Sequence, residues 1–151
     1  MNHLQIEIAE TDDIPALAEL LNTLFSQEKE FAPDNEKQTE GLKKIINYPE
    51  KGIILLAKQD KKIIGMVNLL LTVSTAMGKR VALLEDMVVS PDCRHKGIGS
   101  KLLTEAISLA KKNDCGRITL LTDKTNKMAH NFYKKQGFKE STMIPLRLAL
   151  H

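Results

Sequence analysis

The chain has 151 residues, 42% of them hydrophobic and 27% charged, with 22 Lys and Arg against 19 Asp and Glu and a formal charge of +3. This composition excludes a disordered or low-complexity chain, and the length suits a single domain, residues 1–151, that buries roughly 70% of the surface its unfolded chain exposes. The positive excess is interleaved with acidic residues and builds no long single-sign face, which disfavours a nucleic-acid partner.

Leu4, Ile6 and Ile8 alternate with Gln5 and Glu7, which predicts an opening strand with one buried face. Thr11-Asp12-Asp13 offers a capping oxygen, Pro15 suits a first helical turn, and Leu17, Leu20, Leu21 and Leu24 recur at three- and four-residue steps. That pattern predicts an amphipathic helix to about Phe25. Residues 27–38, with Pro33, Asp34 and Asn35, read as a polar loop, and Leu42, Ile45 and Ile46 mark a second helix that stops before Pro49. The β-branched-rich runs 53–57 and 63–73 flank Gln59-Asp60-Lys61-Lys62 as a hairpin. A second hairpin at Ala76-Met77-Gly78-Lys79 leads into residues 80–89, whose apolar run suits a central strand buried on both faces.

After Ser90-Pro91-Asp92 and a glycine-containing loop, Ile98, Leu102, Leu103, Ala106, Ile107 and Ala110 mark one face of a helix to about Asn113, with Gly116 as its stop signal. Residues 117–121 read as a strand, 127–136 as a short helix closed by Gly137, and 138–150 as one or two final strands around Pro145. The order βα(α)βββαβαβ predicts an α/β fold with a mixed central sheet of six or seven strands and about four helices.

Two cysteines, Cys93 and Cys115, make neither a disulfide framework nor a metal site, and they read as free thiols in a reducing compartment. The first thirteen residues show no basic segment followed by an apolar one, and no apolar run approaches ~18 residues. A cytoplasmic protein without a membrane partner or a metal is therefore expected.

The chemistry concentrates in Arg94-His95-Lys96-Gly97-Ile98-Gly99-Ser100, between a buried strand and the first turn of a helix, where backbone N–H groups have no partner within the helix. Gly97 and Gly99 carry no side chain to block an approach to the backbone, and the helix N-terminus adds partial positive charge. The expected ligand is a phosphate or pyrophosphate. Two commoner phosphate loops do not match. The nucleotide P-loop has Lys and then Ser or Thr after its last Gly, whereas Ser100 and then Lys101 follow Gly99 here, and a dinucleotide fingerprint needs Gly where Leu102 stands.

The stretch VVSPDCRHKGIGSKLL resembles the acyl-CoA loop of the GNAT superfamily of N-acetyltransferases, Arg/Gln-x-x-Gly-x-Gly/Ala after a strand ending in Val-x-Pro. About thirty residues on, the run from Asn126 through Ala129, Phe132 and Tyr133 to Gly137 and Phe138 is similar, without a gap, to that family's Asn-x-x-Ala-x-x-Phe-Tyr-x-x-x-Gly-Phe helix. The close resemblance covers residues 83–139, and the element order of the N-terminal half agrees with it.

The resemblance implies an acyl-CoA N-acyltransferase fold in which the strand holding Met87, Val88 and Val89 parts from the strand near residue 120 and takes the pantetheine of acetyl-CoA between them. It implies that the backbone of Arg94, His95, Lys96, Gly97, Ile98, Gly99 and Ser100 holds the pyrophosphate, with His95 and Lys96 adding positive charge, and that Asn126 contacts the pantetheine arm. Tyr133 is implied as the acid that protonates the departing thiolate, a role open to a phenol of reference pKa ~10. Leu84-Glu85-Asp86 resembles a segment of diamine and polyamine acetyltransferases in which the glutamate is the base. Adjacent strand residues point to opposite faces, so one of Glu85 and Asp86 is expected to face the acceptor, and Glu85 is preferred. The implied reaction is direct attack of a small-molecule primary amine on the acetyl group in a ternary complex, with a backbone N–H near Val88 receiving the oxyanion.

Plainer readings stand beside these. Tyr133 alone could be a residue packed on the sheet, Glu85 a paired surface charge, and His130 a surface histidine. Protein N-terminal or lysine acetylation and a non-catalytic CoA-binding domain share the same signature. Residues 27–38, with Glu28, Glu30, Asp34 and Glu36, are expected to wall the acceptor groove and favour a cationic acceptor. A homodimer is the default assembly.

Overall fold

The computed structural model describes residues 3–27 and 32–151. The opening alternation forms strand β1, Leu4–Ile8. A single 3-10 turn follows at Thr11–Asp13, where the Asp13 carboxylate accepts from the Glu10 N–H at 2.8 Å. It leads into helix α1, Ile14–Gln27.

Helix α2, Asn35–Ile46, starts within the stretch expected to be loop. Asp34 accepts from the Lys37 N–H at 3.2 Å while the Gln38 side chain accepts from the Asp34 N–H at 2.6 Å, so a reciprocal cap begins the helix before its apolar stripe does. Glu28 and Glu30 of the expected groove wall lie outside the described residues. The remaining elements are β2 (Gly52–Gln59), β3 (Lys62–Ser74), β4 (Lys79–Val89), α3 (Ile98–Lys112), β5 (Ile118–Leu120) and α4 (Lys127–Lys135).

The strands lie in the order β1-β2-β3-β4-β5, antiparallel at every junction except the parallel β4–β5 pair. This is a mixed sheet, as predicted, with five strands among the described residues rather than the six or seven expected. Residues 138–150 form no strand among the described residues. Their alternation is real, but Ile144, Leu146, Leu148 and Leu150 are 75% to 90% exposed, and Pro145 has no N–H to give a ladder. A period of two marks a segment able to pair, and a strand exists only where a partner strand accepts it.

The chain divides into two compact units, residues 1–121 and 122–151. In the first, α1 lays Ile14, Leu17, Ala18, Leu20 and Leu21 on one face of the sheet against Ile54, Leu56, Met66 and Val88, with Leu42 of α2 in the same cluster. Helix α3 packs on β2, β3 and β4 and buries Leu102, Leu103 and Ala106. A Cβ placed on Gly65 would stand 3.0 Å from Leu102 Cδ1 and 3.2 Å from the Val88 carbonyl oxygen, so the absent side chain sets how closely α3 settles on the sheet. The second unit contains α4, none of whose residues is fully buried. Its apolar contacts centre on Tyr133, whose ring meets Phe132 edge-on at 5.1 Å and Phe138 at 5.7 Å.

Candidate active site

Strand β4 has two different halves. From Lys79 to Leu84 it pairs with β3, and Ala82, Leu83 and Leu84 also pair with Ile118, Thr119 and Leu120 of β5. Beyond Leu84 the β5 ladder stops, although β4 runs on to Val89. The interruption coincides with a bulge. Asn68 of β3 opposes Glu85 and Met66 opposes Val88, so Asp86 and Met87 together face the single residue Val67. Asp86 takes up the extra length at φ 56°, a left-handed conformation that aspartate tolerates better than most residues. Bulges bend and twist the strand that carries them. The peptide groups of Met87, Val88 and Val89 that point away from β3 therefore have no strand partner among the described residues, and an extended chain bearing amides can pair with them.

The bulge also changes which side chains share a face. Strict alternation predicts that only one of Glu85 and Asp86 faces the acceptor. Asn68 and Glu85 are register partners and leave the sheet on the same side. The Asn68 amide donates to Asp86 Oδ2 at 2.5 Å, so Asp86 reaches that side as well. Both carboxylates accordingly accompany Asn68, on the face where Met66 and Val88 pack against α1.

Past β4, the Ser90 N–H bonds the Ile64 carbonyl at 2.7 Å and a 3-10 turn runs through Pro91–Cys93. The Arg94 side chain turns back, its Nε donating to the Val89 carbonyl at 3.1 Å, and so ties the loop to the open end of β4. His95 at φ 64° and Gly97 at φ 80° are both left-handed, a conformation that gathers successive N–H groups into an anion-binding concavity. No side chain caps α3 at Gly97, and the Lys101 N–H is the one that bonds the Gly97 carbonyl, at 3.1 Å. The N–H groups of Ile98, Gly99 and Ser100 precede that first helical bond and face outward from a fifteen-residue helix. His95, Lys96 and Ser100 are exposed beside them, whereas the Ile98 side chain is buried and anchors the turn. The donor set of uncapped amides with adjacent positive charge fits a diphosphate, and the open edge of β4 fits an amide-bearing arm.

In residues 122–151, the Asn126 side-chain oxygen accepts from the Ala129 N–H at 3.1 Å and caps α4, which leaves its amide group for other partners. His130 Nε2 lies 2.8 Å from the Asp123 carbonyl oxygen, a contact that braces the segment before α4. Burial pushes the Tyr133 phenol up to about 12, so the hydroxyl stays protonated at neutral pH and can donate. Burial also pushes the Cys115 thiol up, away from the thiolate that nucleophilic catalysis needs. Among the described residues no group of three or more His, Cys, Asp or Glu is placed to hold a metal ion, and no helix is long and apolar enough to cross a membrane.

Comparison with known proteins shows the family. The model of the acetyltransferase (GNAT) family matches residues 14–138. The chain belongs to the GNAT family. This GNAT chain is 34% identical over 142 residues to the uncharacterized N-acetyltransferase YhfO of Bacillus subtilis (strain 168), with 92% of each chain covered. It is 35% identical over 69 residues to thialysine N-epsilon-acetyltransferase of Bos taurus, a match covering 46% of this chain and 40% of that one. A crystal structure of a possible acetyltransferase from Clostridium difficile 630 superposes with a TM-score of 0.88 at 18% identity over 98% of both chains, a likeness of fold. Members of the family are acyltransferases that draw their acetyl group from acetyl-CoA, and this chain is an N-acetyltransferase of that kind. The sequence missed the bulge and, with it, Asn68; a lone asparagine within the apolar run of residues 63–73 was the available signal.

Proposed function

We propose that residues 1–151 act as one catalytic domain that transfers the acetyl group of acetyl-CoA to a primary amine of a small molecule. The observation that carries this reading is the coincidence, on one strand, of the lost β5 ladder, the bulge at Asp86 and the uncapped helix that follows. Met87, Val88 and Val89 hold the pantetheine arm through their backbone, the turn from Arg94 to Ser100 holds the diphosphate, and the Asn126 amide contacts the arm. Acetyl-CoA supplies an acetyl group activated as a thioester.

Glu85 accepts the proton of the acceptor ammonium, directly or through water, and the Val88 N–H stabilises the developing oxyanion. As the C–N bond forms and the C–S bond breaks, the Tyr133 hydroxyl gives its proton to the sulfur. The products are an acetamide and free CoA thiol. The half-buried phenol is protonated at neutral pH, so it has a proton to give as negative charge develops on the sulfur. Similarity to proteins named thialysine N-epsilon-acetyltransferase and aminoalkylphosphonate N-acetyltransferase supports a small amine as acceptor.

The test is CoA-thiol release from acetyl-CoA across a panel of alkylamines, arylamines, amino acids and peptides. Amine-dependent release with small amines is expected, and release with peptides alone would contradict the small-molecule assignment. Tyr133→Phe should lower kcat by about a hundredfold, within the range for a lost general acid, with the KM for acetyl-CoA unchanged. With a pKa near 12, Tyr133 gives the wild-type rate no alkaline decline below about pH 11.

A further inference from the structure

Asn68 is 2% exposed, and its side-chain oxygen Oδ1 is buried without a hydrogen-bond partner among the described residues. The orientation of this carboxamide is fixed, because the Asp86 carboxylate only accepts and must therefore face the nitrogen, as it does at 2.5 Å. The oxygen is thus left without a donor in a place where such a loss is ordinarily destabilising. An apolar residue at the same position would carry no such penalty, since Met66 two residues away packs in the core of that face. No group among the described residues donates to this oxygen, and a bound molecule that brings its own N–H can.

Glu85 opposes Asn68 in the β3–β4 register, and Asp86 bonds its amide. The three side chains therefore bring together one neutral oxygen and two carboxylates, with the single amide donor already engaged. A primary alkylammonium is complementary to that set, because it has three N–H donors and no acceptor. An arylamine, neutral at pH 7, offers fewer donors and no charge.

Resting on the acetyltransferase reading above, we infer that Asn68 and Asp86 form the seat of the acceptor's alkylammonium group and select alkylamines over arylamines. Asn68 orients the Asp86 carboxylate through its amide and contributes Oδ1 as a further acceptor. Glu85 stands beside the seat as the base. The seat thus recognises the acceptor's charge separately from the residue that removes its proton.

Steady-state kinetics of the full chain, with the best alkylamine of the panel, test this. Asn68→Leu keeps the number and branching of the side-chain heavy atoms and removes both polar atoms. The expected result is a rise of about tenfold or more in the KM for the amine, with the KM for acetyl-CoA within about twofold of wild type. A residue that only supports the fold would move both KM values together or lower Tm alone, and that pattern overturns the inference. Should Asn68→Leu fail to fold, Asp86→Asn removes the charge without changing volume and is expected to give the same split. Equal use of arylamines and alkylamines by the wild type overturns the inference while leaving acetyl transfer intact. Absence of thiol release with every amine defeats the acetyltransferase reading itself, and the seat falls with it.

Discussion

The two halves of β4 share one strand and one set of backbone groups, yet only one half is fully paired. In the first half Ala82 and Leu84 are buried, and ladders run to β3 on one side and β5 on the other. In the second, Glu85 is exposed, Asp86 and Met87 bulge, and the β5 side of the backbone is open. A single inserted residue separates them. The fold thereby leaves a central strand fully paired at one end and open on its β5 side at the other, with no loop needed between the two.

That contrast breaks most strongly in the scaffold. Leu84→Ala removes a buried side chain at the end of the double ladder and should cost about 2–5 kcal/mol of stability, read by denaturant unfolding, while the folded fraction keeps its KM for acetyl-CoA. Glu85→Gln, one residue later, should leave the unfolding midpoint unchanged and lower kcat/KM for the amine by about tenfold or more. An equal loss of stability at both positions would erase the distinction. The smallest effect is expected where the loop hands over to α3. Gly97→Val forces a β-branched residue to φ 80° and should cost about 1–2 kcal/mol, with a weaker KM for acetyl-CoA and an unchanged KM for the amine.

Much of the fold was legible because its signals are local. The alternation of Leu4, Ile6 and Ile8 gave β1, and the stripe from Ile98 to Ala110 gave the buried face of α3. The turn from Arg94 to Ser100 was readable from two glycines and a following helix, and its uncapped start at Gly97 agrees with that reading. What stayed hidden depends on partners distant in sequence. Nothing in Leu84-Glu85-Asp86-Met87 announces an extra residue, since a bulge is defined only against the strand opposite, so alternation wrongly separated Glu85 from Asp86. Asp34 was visible as a turn former, but its exchange of hydrogen bonds with Lys37 and Gln38 turned part of the expected loop into α2. At the C-terminal end, Ile144, Leu146, Leu148 and Leu150 carry the pattern of a strand without the partner that makes one.

The central claim is that the open half of β4 and the turn into α3 hold acetyl-CoA. Thermal unfolding of the full chain with and without acetyl-CoA tests it most directly, because a ligand at 100 times its Kd adds about 2.7 kcal/mol to the native state. A clear rise in Tm with acetyl-CoA is predicted, together with a smaller rise for Gly97→Val under the same conditions. An unchanged Tm at millimolar acetyl-CoA would contradict the account.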